Sequence, residues 1–393
     1  MRIVHTSDWH AGKAWKGKKR LPELQAVLDG LVTFIEEEAV DLLVMSGDVF
    51  DTGAPSAEAE QVVFRFFKRL GGIGVPSVVI AGNHDSPRRF DAWGILTELV
   101  DCHVVSTPQP AGQGGTLDLK LASGERVIVA AIPFANVRSL VAAEELVSDD
   151  QRARGTYGDQ MLRLFEQAAA AFRPDAVNLL TAHTFVEGSV VSGSERKVHV
   201  GREWAMRATL LPRAHYVALG HVHKPQDVRG FGCPATYAGS PLQLDFGEVG
   251  EEKSFVVIDA EAGGEASVRR VAYEGGRPLV DIRATFEELE ADVERLRAAG
   301  WLRVTVPAAE PASSLDADVN SKVRRLLPNA VVVKVEMPVI ETATDSPAPS
   351  PYTTPSELYL GYLERQDERT AEPALLELFQ RLYDQVASGR AES

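Results

Sequence analysis

Five short, mostly apolar stretches of the sequence each end in polar side chains that can bind a metal ion. Each stretch is bounded by turn-forming residues and is too short for a helix, which is typical of a buried β-strand. In open α/β sheets, ligands bind beyond the carboxyl ends of the strands. The stretches are 3–6, 42–45, 78–81, 177–180 and 216–219, and they are followed by Asp8 and His10, by Asp48 and Asp51, by Asn83, His84 and Asp85, by His183, and by His221 and His223. The pattern predicts that one sheet edge collects carboxylates, imidazoles and an amide.

The composition is that of an ordinary globular protein of two or three domains. The chain has 393 residues, of which 45% are hydrophobic and 25% charged, as in typical soluble proteins. It contains no apolar run of about 18 residues that would predict a transmembrane helix. Met1 leads directly into a strand, without the apolar stretch of a signal peptide. Cys102 and Cys233 lie outside the motifs and are expected to be reduced core residues, which favours a cytoplasmic location.

Charge is distributed unevenly along the chain. The net charge of −15 argues by itself against nucleic-acid binding, which requires a positive surface. However, residues 1–20 contain six Lys or Arg residues against one acid, whereas residues 341–393 contain four against ten acids. We therefore expect the two ends of the chain to meet different partners.

A basic loop directly follows Asp8 and His10. A helix is predicted from about residue 22 to 39, directly after this loop. Cations near a helix N-terminus are unfavourable because they oppose the helix dipole, so we interpret the basic residues of the loop as phosphate contacts. A solvated loop is the alternative. Two arginines that follow Asn83 and His84 could also contact phosphates. The candidate phosphate-binding residues, which in a nuclease would contact DNA, are Lys13, Lys16, Lys18, Lys19, Arg20, Arg88 and Arg89.

The chain divides by pattern into four segments. Residues 1–275 alternate strands and helices, which predicts a parallel sheet with right-handed crossovers, and helices are predicted near 56–70, 89–100 and 158–172. Residues 276–340 have a βαβαβ order and a capping box formed by Thr285 and Glu288. Residues 341–355 are rich in Pro, Ser and Thr and are typical of a linker. Residues 356–393 contain two short amphipathic helices, which either fold back or dock on another protein.

The ligand types favour two borderline-hard divalent metal ions, such as manganese, iron or zinc. Two ions explain the number of candidate ligands. A carboxylate can bridge two ions that lie about 3.5–4 Å apart, and a water molecule held between the ions would be acidified and could attack phosphorus. We predict that Asp48 is this bridge, because it is central in the expected strand order. The other histidines, His5, His103, His199 and His215, lack such a setting and are expected to be structural.

These motifs resemble those of the calcineurin-like metallophosphoesterases. The resemblance rests on Asp8-x-His10, Gly47-Asp48-x-x-Asp51, Gly82-Asn83-His84-Asp85 and Gly220-His221-x-His223, and it spans residues 1–275. It implies a sandwich of two mixed sheets flanked by helices, with a small α/β capping domain and C-terminal helices. The whole layout is similar to nuclease members of the family that act in DNA repair, recombination and replication.

The resemblance also implies roles for individual residues. One Mn²⁺ ion would be held by Asp8, His10, Asp48 and His223, and the other by Asp48, Asn83, His183 and His221. His84 would face the scissile phosphate and assist the leaving oxygen, with Asp51 orienting it. Residues 276–340 would steer DNA, residues 356–393 would bind a coiled-coil ATPase, and helices near 56–70 and 89–100 would form a homodimer.

Three functions are compared on this basis. The first is a manganese-dependent exonuclease and endonuclease. The second is a phosphatase or cyclic-nucleotide phosphodiesterase, which has no evident need for the basic loop or the capping segment; protein phosphatases of the superfamily also differ at Thr52 and Asp85. The third is a scaffold without activity, which would be expected to have lost a ligand, and no ligand role is missing here.

Overall fold

The structure is a computed structural model, and it describes residues 1–135, 156–195, 205–307, 315–336, 354 and 377–383. By internal contacts the chain forms two compact units, residues 1–337 and 338–393. The predicted linker 341–355 and the terminal segment 356–393 lie outside the described residues, apart from residue 354 and a helical turn at 377–383. No helix in the described ranges is long and apolar enough to cross a membrane.

The secondary structure of residues 1–337 alternates between strands and helices. The strands are β1 (Arg2–Thr6), β2 (Ala14–Trp15), β3 (Lys18–Lys19), β4 (Leu42–Met45), β5 (Ser77–Ile80), β6 (Cys102–Val105), β7 (Thr116–Lys120), β8 (Arg126–Ile132), β9 (Val177–His183), β10 (Phe185–Val186), β11 (Ala205–Met206), β12 (Tyr216–Gly220), β13 (Gln226–Asp227), β14 (Ala235–Tyr237), β15 (Ser254–Asp259), β16 (Ser267–Ala272), β17 (Leu279–Arg283), β18 (Trp301–Pro307) and β19 (Ala330–Glu336). The α-helices are α1 (Leu21–Glu37), α2 (Ala57–Gly72), α3 (Pro87–Thr97), α4 (Tyr157–Ala169), α5 (Phe286–Ala291), α6 (Val293–Ala298) and α7 (Leu315–Leu326).

Two six-stranded mixed sheets form the body of the first unit. The first sheet has the order β16-β15-β1-β4-β5-β6, with β1, β4, β5 and β6 parallel and β15 antiparallel to β1. The second has the order β13-β14-β12-β9-β8-β7, with β14, β12, β9 and β8 parallel. The parallel strands of each sheet end at the same edge, and this edge carries the site.

Alternating side chains place each sheet between two apolar layers. On β1, Ile3 packs between the sheets, whereas Val4 packs towards the helices, because successive strand residues point to opposite faces. The helices α1 and α2 cover the outer face of the first sheet, and α4 covers that of the second. The predicted sandwich of two mixed sheets flanked by helices is thereby confirmed.

Residues 279–336 build a smaller α/β layer of three parallel strands in the order β17-β18-β19. Thr285 and Glu288 form the predicted capping box at the start of α5. One apolar cluster joins this layer to the body of the unit through Trp15, Phe246, Leu279 and Val331. The small layer is therefore packed next to the basic loop.

Candidate metal centre

Four of the candidate ligands adopt a left-handed backbone conformation. Asp8, Asp48 and His10 have φ angles of 52°, 52° and 47°, and His221 has a φ of 101°. A non-glycine residue held there costs on the order of 1–3 kcal/mol, and such strain concentrates at functional sites. The backbone turns sharply after each of these strands, and the turn directs the side chain of a candidate ligand into the space beyond the sheet edge.

Glycines before three of the ligands allow the strand ends to approach closely. A Cβ atom on Gly82 would lie 2.1 Å from Asp48 Oδ1, and one on Gly47 would lie 2.4 Å from His183 Nδ1. A Cβ atom on Gly220 would lie 1.9 Å from the Ser46 carbonyl oxygen. These distances exclude any side chain, which is the physical reason for a glycine before Asp48, Asn83 and His221.

Asp8, His10 and His223 form one group of candidate ligands. Their ligand atoms lie within 4.8 Å of one another, and the Nε2 atoms of His10 and His223 are 3.1 Å apart. The Asp8 carboxylate also accepts the main-chain N–H of His221 at 3.1 and 3.2 Å. Two imidazole nitrogens and a carboxylate thus point into one small buried space.

Asn83, His183 and His221 form a second group. Asn83 Oδ1 lies 3.0 Å from His183 Nε2 and 2.9 Å from His221 Nδ1. His183 Nδ1 lies 2.8 Å from the Ser46 carbonyl oxygen, and a carbonyl can only accept a hydrogen bond, so Nδ1 carries a proton. In the neutral ring, Nε2 then has a lone pair that can bind a metal ion.

Asp48 lies between the two groups. Its Oδ2 is 3.6 Å from His10 Nε2 and 3.6 Å from His183 Nε2. Burial opposes ionisation of this carboxyl, but His183 and His10 outweigh it and hold its pKa well below the usual range. An ionised carboxylate between two sets of nitrogen and oxygen ligands fits a pair of divalent cations.

Known proteins of related sequence place the chain in a family. The calcineurin-like phosphoesterase family model matches residues 1–225. The chain is 38% identical over 287 residues to the SbcD subunit of the nuclease SbcCD of Bacillus subtilis, covering 72% of each chain. The chain belongs to the SbcD family of calcineurin-like phosphoesterases. It is also 28% identical to the SbcD protein of Escherichia coli K12, over 79% of each chain, and 30% identical to that of Rhodobacter capsulatus, over 91% of this chain and 93% of that one.

His84, one of the residues that carry the resemblance to the phosphoesterases, lies beside Asp48. Its main-chain N–H donates to Asp48 Oδ1 at 2.8 Å, and its Nε2 is 4.0 Å from Asp48 Oδ2. Its Nδ1 donates to the main-chain oxygen of Asp51 at 2.7 Å. The Asp51 carboxylate instead lies 3.3 Å from His10 Nδ1 and 3.0 Å from Lys13 Nζ. In the structure, Asp51 therefore contacts His84 through its main-chain oxygen and not through its carboxylate.

Asp85 has a role that the sequence did not reveal. Its carboxylate accepts the main-chain N–H groups of Gly82, Val49 and Phe50 at 2.8, 3.2 and 2.9 Å. One buried carboxylate thus ties the loop that carries Asn83 and His84 to the loop that carries Asp48. The motif does contain Asp85, but its partners lie up to 36 positions away, and no local pattern identifies them.

Four further polar residues surround His223 and were also missed: Ser194, Glu195, Glu248 and Lys253. They follow no motif of the phosphoesterase family in the sequence. Their side chains approach His223 only because of the fold, and it is the burial of Glu195, Glu248 and Lys253 that distinguishes these three from surface residues.

The candidate phosphate-binding cations differ in their surroundings. Lys16, Lys19 and Arg88 are exposed. Lys18 lies 5.4 Å from the centre of the Trp301 ring, and Arg89 pairs with Glu60 at 2.6 Å. Arg20 is buried and its guanidinium contacts Glu23 and the carbonyl oxygens of Gln243 and Arg277, so we remove it from the candidate DNA contacts.

Proposed function

We propose that this chain is a metal-dependent DNA nuclease that hydrolyses phosphodiester bonds together with an SbcC-type ATPase. The observation that carries the proposal is the position of Asp48, within 4.0 Å of the Nε2 atoms of His10, His84 and His183. Its relatives are named as subunits of the nuclease SbcCD, and this supports assigning the same activity here.

Two groups of side chains would hold two divalent cations, for which we propose Mn²⁺. Asp8, His10, Asp48 and His223 would hold one, and Asp48, Asn83, His183 and His221 the other. When bound, the cations would acidify a water molecule and neutralise charge on the phosphoryl oxygens. The short distances between these side-chain atoms support the assignment.

His84 would act on the leaving oxygen of the phosphodiester. Because its Nδ1–H donates to the Asp51 carbonyl oxygen, the ring is held in one orientation, with Nε2 directed towards the ligand cluster. A proton on Nε2 could then pass to the leaving oxygen as the phosphorus–oxygen bond breaks. Asp51 would act as a positioning residue through its main chain.

DNA would approach along the exposed cations of the basic loop and α3. Lys16, Lys19 and Arg88 are exposed, and Lys13, Lys18 and Arg89 are half-buried, so all six remain in the proposed set. Trp301 of the small layer lies under Lys18, which supports a role of residues 276–340 in steering DNA towards the cations. Single strands, duplex ends and hairpins are proposed substrates.

Two protein contacts are part of the proposal. Residues 356–393 would bind the SbcC-type ATPase, and the described turn at 377–383 carries the exposed residues Leu378, Leu382 and Tyr383. A homodimer would form through α2 and α3, where Ile95 and Leu96 are 75% and 66% exposed and Leu99, just beyond, is 84% exposed.

We propose a cytoplasmic location, where the free cysteines Cys102 and Cys233 would stay reduced.

One experiment tests the activity. The purified chain is incubated with Mn²⁺ and labelled duplex and hairpin DNA, with bis-para-nitrophenyl phosphate alongside, with and without the SbcC-type ATPase. His84→Ala is the test variant, and His103→Ala, which removes an imidazole paired with Asp101, is the matched control. We expect cleavage by the wild type and the control, and a loss of about 10²–10⁴-fold in His84→Ala. Cleavage of the small diester alone, even with the ATPase present, would refute DNA as the substrate.

A further inference from the structure

The metal ligand His223 is held by neighbouring side chains at its Nδ1 atom, its main-chain N–H and its carbonyl oxygen. Its Nδ1 lies 2.5 Å from Ser194 Oγ, and its main-chain N–H donates to Glu195 Oε1 at 3.1 Å. Its carbonyl oxygen accepts from Lys253 Nζ at 2.9 Å. For Nε2 to bind a cation the ring proton must sit on Nδ1, where it donates to Ser194.

The buried side chain of Glu248 contacts the Ser194 hydroxyl. The Ser194 hydroxyl donates to Glu248 Oε1, and Glu248 is fully buried. Its other oxygen accepts from Lys253 Nζ at 2.6 Å and from the Leu244 main-chain N–H at 3.0 Å. A buried carboxylate requires such partners, so its position is tightly determined. The pair formed by Glu248 and Lys253 therefore holds both the ring and the backbone of His223.

Gln243 connects the same segment to the small layer. Its Nε2 donates to the main-chain oxygens of Glu248 and Glu251 at 2.9 and 3.0 Å. Its Oε1 accepts the main-chain N–H of Leu279, the first residue of β17, at 2.6 Å. One buried side chain thus joins the loop that carries Glu248 to the first strand of the small layer.

A second set of contacts connects the main chain of Gln243 to the small layer. The Gln243 carbonyl oxygen accepts from the Arg20 guanidinium, and Arg20 pairs with Glu23 at 2.8 Å. Glu23 accepts from the Trp301 indole N–H at 2.9 Å and from the Arg277 main-chain N–H at 3.1 Å. Leu279 and Trp301 begin neighbouring paired strands, β17 and β18, so a shift of the small layer must strain Gln243 or break its bonds.

We propose that Ser194, Glu248 and Gln243 form a relay that couples the placement of the small α/β layer to the binding of a cation by His223. Coupling of this kind is reciprocal: a cation that fixes His223 also stabilises the docked small layer, and displacement of that layer loosens His223. The proposal rests on the proposed metal site and does not depend on DNA cleavage.

The test uses the full chain, Mn²⁺ as the probe, and two nearby serines. Ser194→Ala removes the hydroxyl between His223 and Glu248 without leaving a buried charge unpaired. Ser192→Ala is the matched control, because Ser192 Oγ contacts the Glu251 carboxylate at 3.3 Å rather than the His223 ring. Mn²⁺ binding is followed by the electron paramagnetic resonance of free Mn²⁺, and amide hydrogen exchange is followed by mass spectrometry in peptides that contain Leu279.

In the wild type and in Ser192→Ala, we expect saturating Mn²⁺ to slow exchange at the Leu279 amide. In Ser194→Ala, we expect the affinity of one of the two Mn²⁺ sites to fall about tenfold and the slowing at Leu279 to disappear. Gln243→Ala is expected to retain two Mn²⁺ sites and to lose only the slowing. Thermal melts in chelator establish that each variant is folded.

Two results would overturn the relay. One is a wild type in which Mn²⁺ leaves Leu279 exchange unchanged; the other is a folded Ser194→Ala protein that matches the wild type in affinity and in exchange. A protein that binds Mn²⁺ with the expected coupling but does not cut DNA would instead refute the nuclease function and leave the relay intact.

Discussion

The Nε2 atoms of His10 and His223 lie 3.1 Å apart, although 213 positions separate the two residues in the chain. At this distance two lone pairs repel unless a proton or a cation lies between them. Because the Nδ1 atoms of the two rings face Asp51 and Ser194, their Nε2 atoms are directed at one common point. Contacts with protein side chains thus fix the orientation of both rings.

We predict that Mn²⁺ stabilises the folded chain. A ligand that binds only the native state at 100 times its dissociation constant adds about 2.7 kcal/mol to the free energy of unfolding. The measurement is a thermal melt with Mn²⁺ and with chelator, for the wild type and for His223→Ala. The increase in Tm should be smaller in His223→Ala, and an equal increase in both proteins would remove His223 from the ligands.

Gly82 should tolerate no side chain. A Cβ atom there would lie 2.1 Å from Asp48 Oδ1 and 2.3 Å from the Asp48 main-chain nitrogen, so Gly82→Ala must displace the carboxylate that lies between His10 and His183. If the proposed metal site is right, we expect Gly82→Ala to lose Mn²⁺ binding and hydrolysis together, measured by Mn²⁺ titration and by cleavage of bis-para-nitrophenyl phosphate.

Gly30→Ala is the matched control for that change. Gly30 lies in helix α1, and a Cβ atom there would meet nothing within 4 Å. Alanine in a helix is favoured over glycine by about 0.5–1 kcal/mol, so this variant should be slightly more stable and fully active. Normal Mn²⁺ binding by Gly82→Ala would show that Asp48 is not held as the structure indicates.

The residue types at the site could be predicted because parallel strands deliver their following residues to one sheet edge. The turn conformations could not: the left-handed φ of Asp8 or His10 leaves no mark in a single sequence. Glu248 was also missed, because its partner Ser194 lies 54 positions away, and the nearness of Lys253 in the sequence gives no indication that this pair is buried. Arg20 was misjudged because a charged residue within a basic loop gives no indication that it is buried against Gln243.

Lys16 and Lys19 provide a test of the DNA path. Both are exposed, so changing them to Gln should not affect folding, whereas Lys18 is best left in place against Trp301. We expect weaker DNA binding, with the slope of log K against log salt reduced by about 0.9 for each phosphate that the variant no longer neutralises. Titration at several salt concentrations measures this slope. The control variant, in which the exposed residues Lys68 and Lys120 are changed to Gln, should keep the wild-type slope. An unchanged slope in the variant with Lys16 and Lys19 changed to Gln would indicate that the basic loop is only a solvated loop.

Leu99 should report on dimer formation. It is 84% exposed and follows α3, next to the exposed Leu96, and exposed apolar side chains that cluster in this way mark interaction sites. We expect Leu99→Glu to shift the chain from dimer to monomer in analytical ultracentrifugation, because a charge would be buried in the interface. Leu210→Glu, at a residue that is 71% exposed elsewhere on the surface, should leave the mass unchanged. A wild type that stays monomeric at all concentrations would contradict the dimer.

The final prediction concerns pH and His5, which lies between the sheets. Its ring is hydrogen-bonded to Tyr216 and to Ser46, each at 2.9 Å, and burial lowers its pKa from 6.5 to about 3. Between these two pH values the unfolded chain binds a proton that the folded chain does not. The stability contributed by the neutral ring is therefore complete above pH 6.5 and decreases as the pH falls, by about 2 kcal/mol at pH 5.

This loss can be measured by urea unfolding in chelator between pH 7.5 and pH 4.5. His5→Gln should be less stable at neutral pH, because it loses packing and hydrogen bonds, but its free energy of unfolding should depend less steeply on pH. His103→Gln, at a partly exposed histidine, is the control for the loss of an imidazole and should not reproduce the flattening expected in His5→Gln. Parallel curves for the wild type and His5→Gln would mean that His5 takes up its proton over the same pH range in the folded and unfolded chains, and the hydrogen bonds that hold it between the sheets would then have to be reassigned.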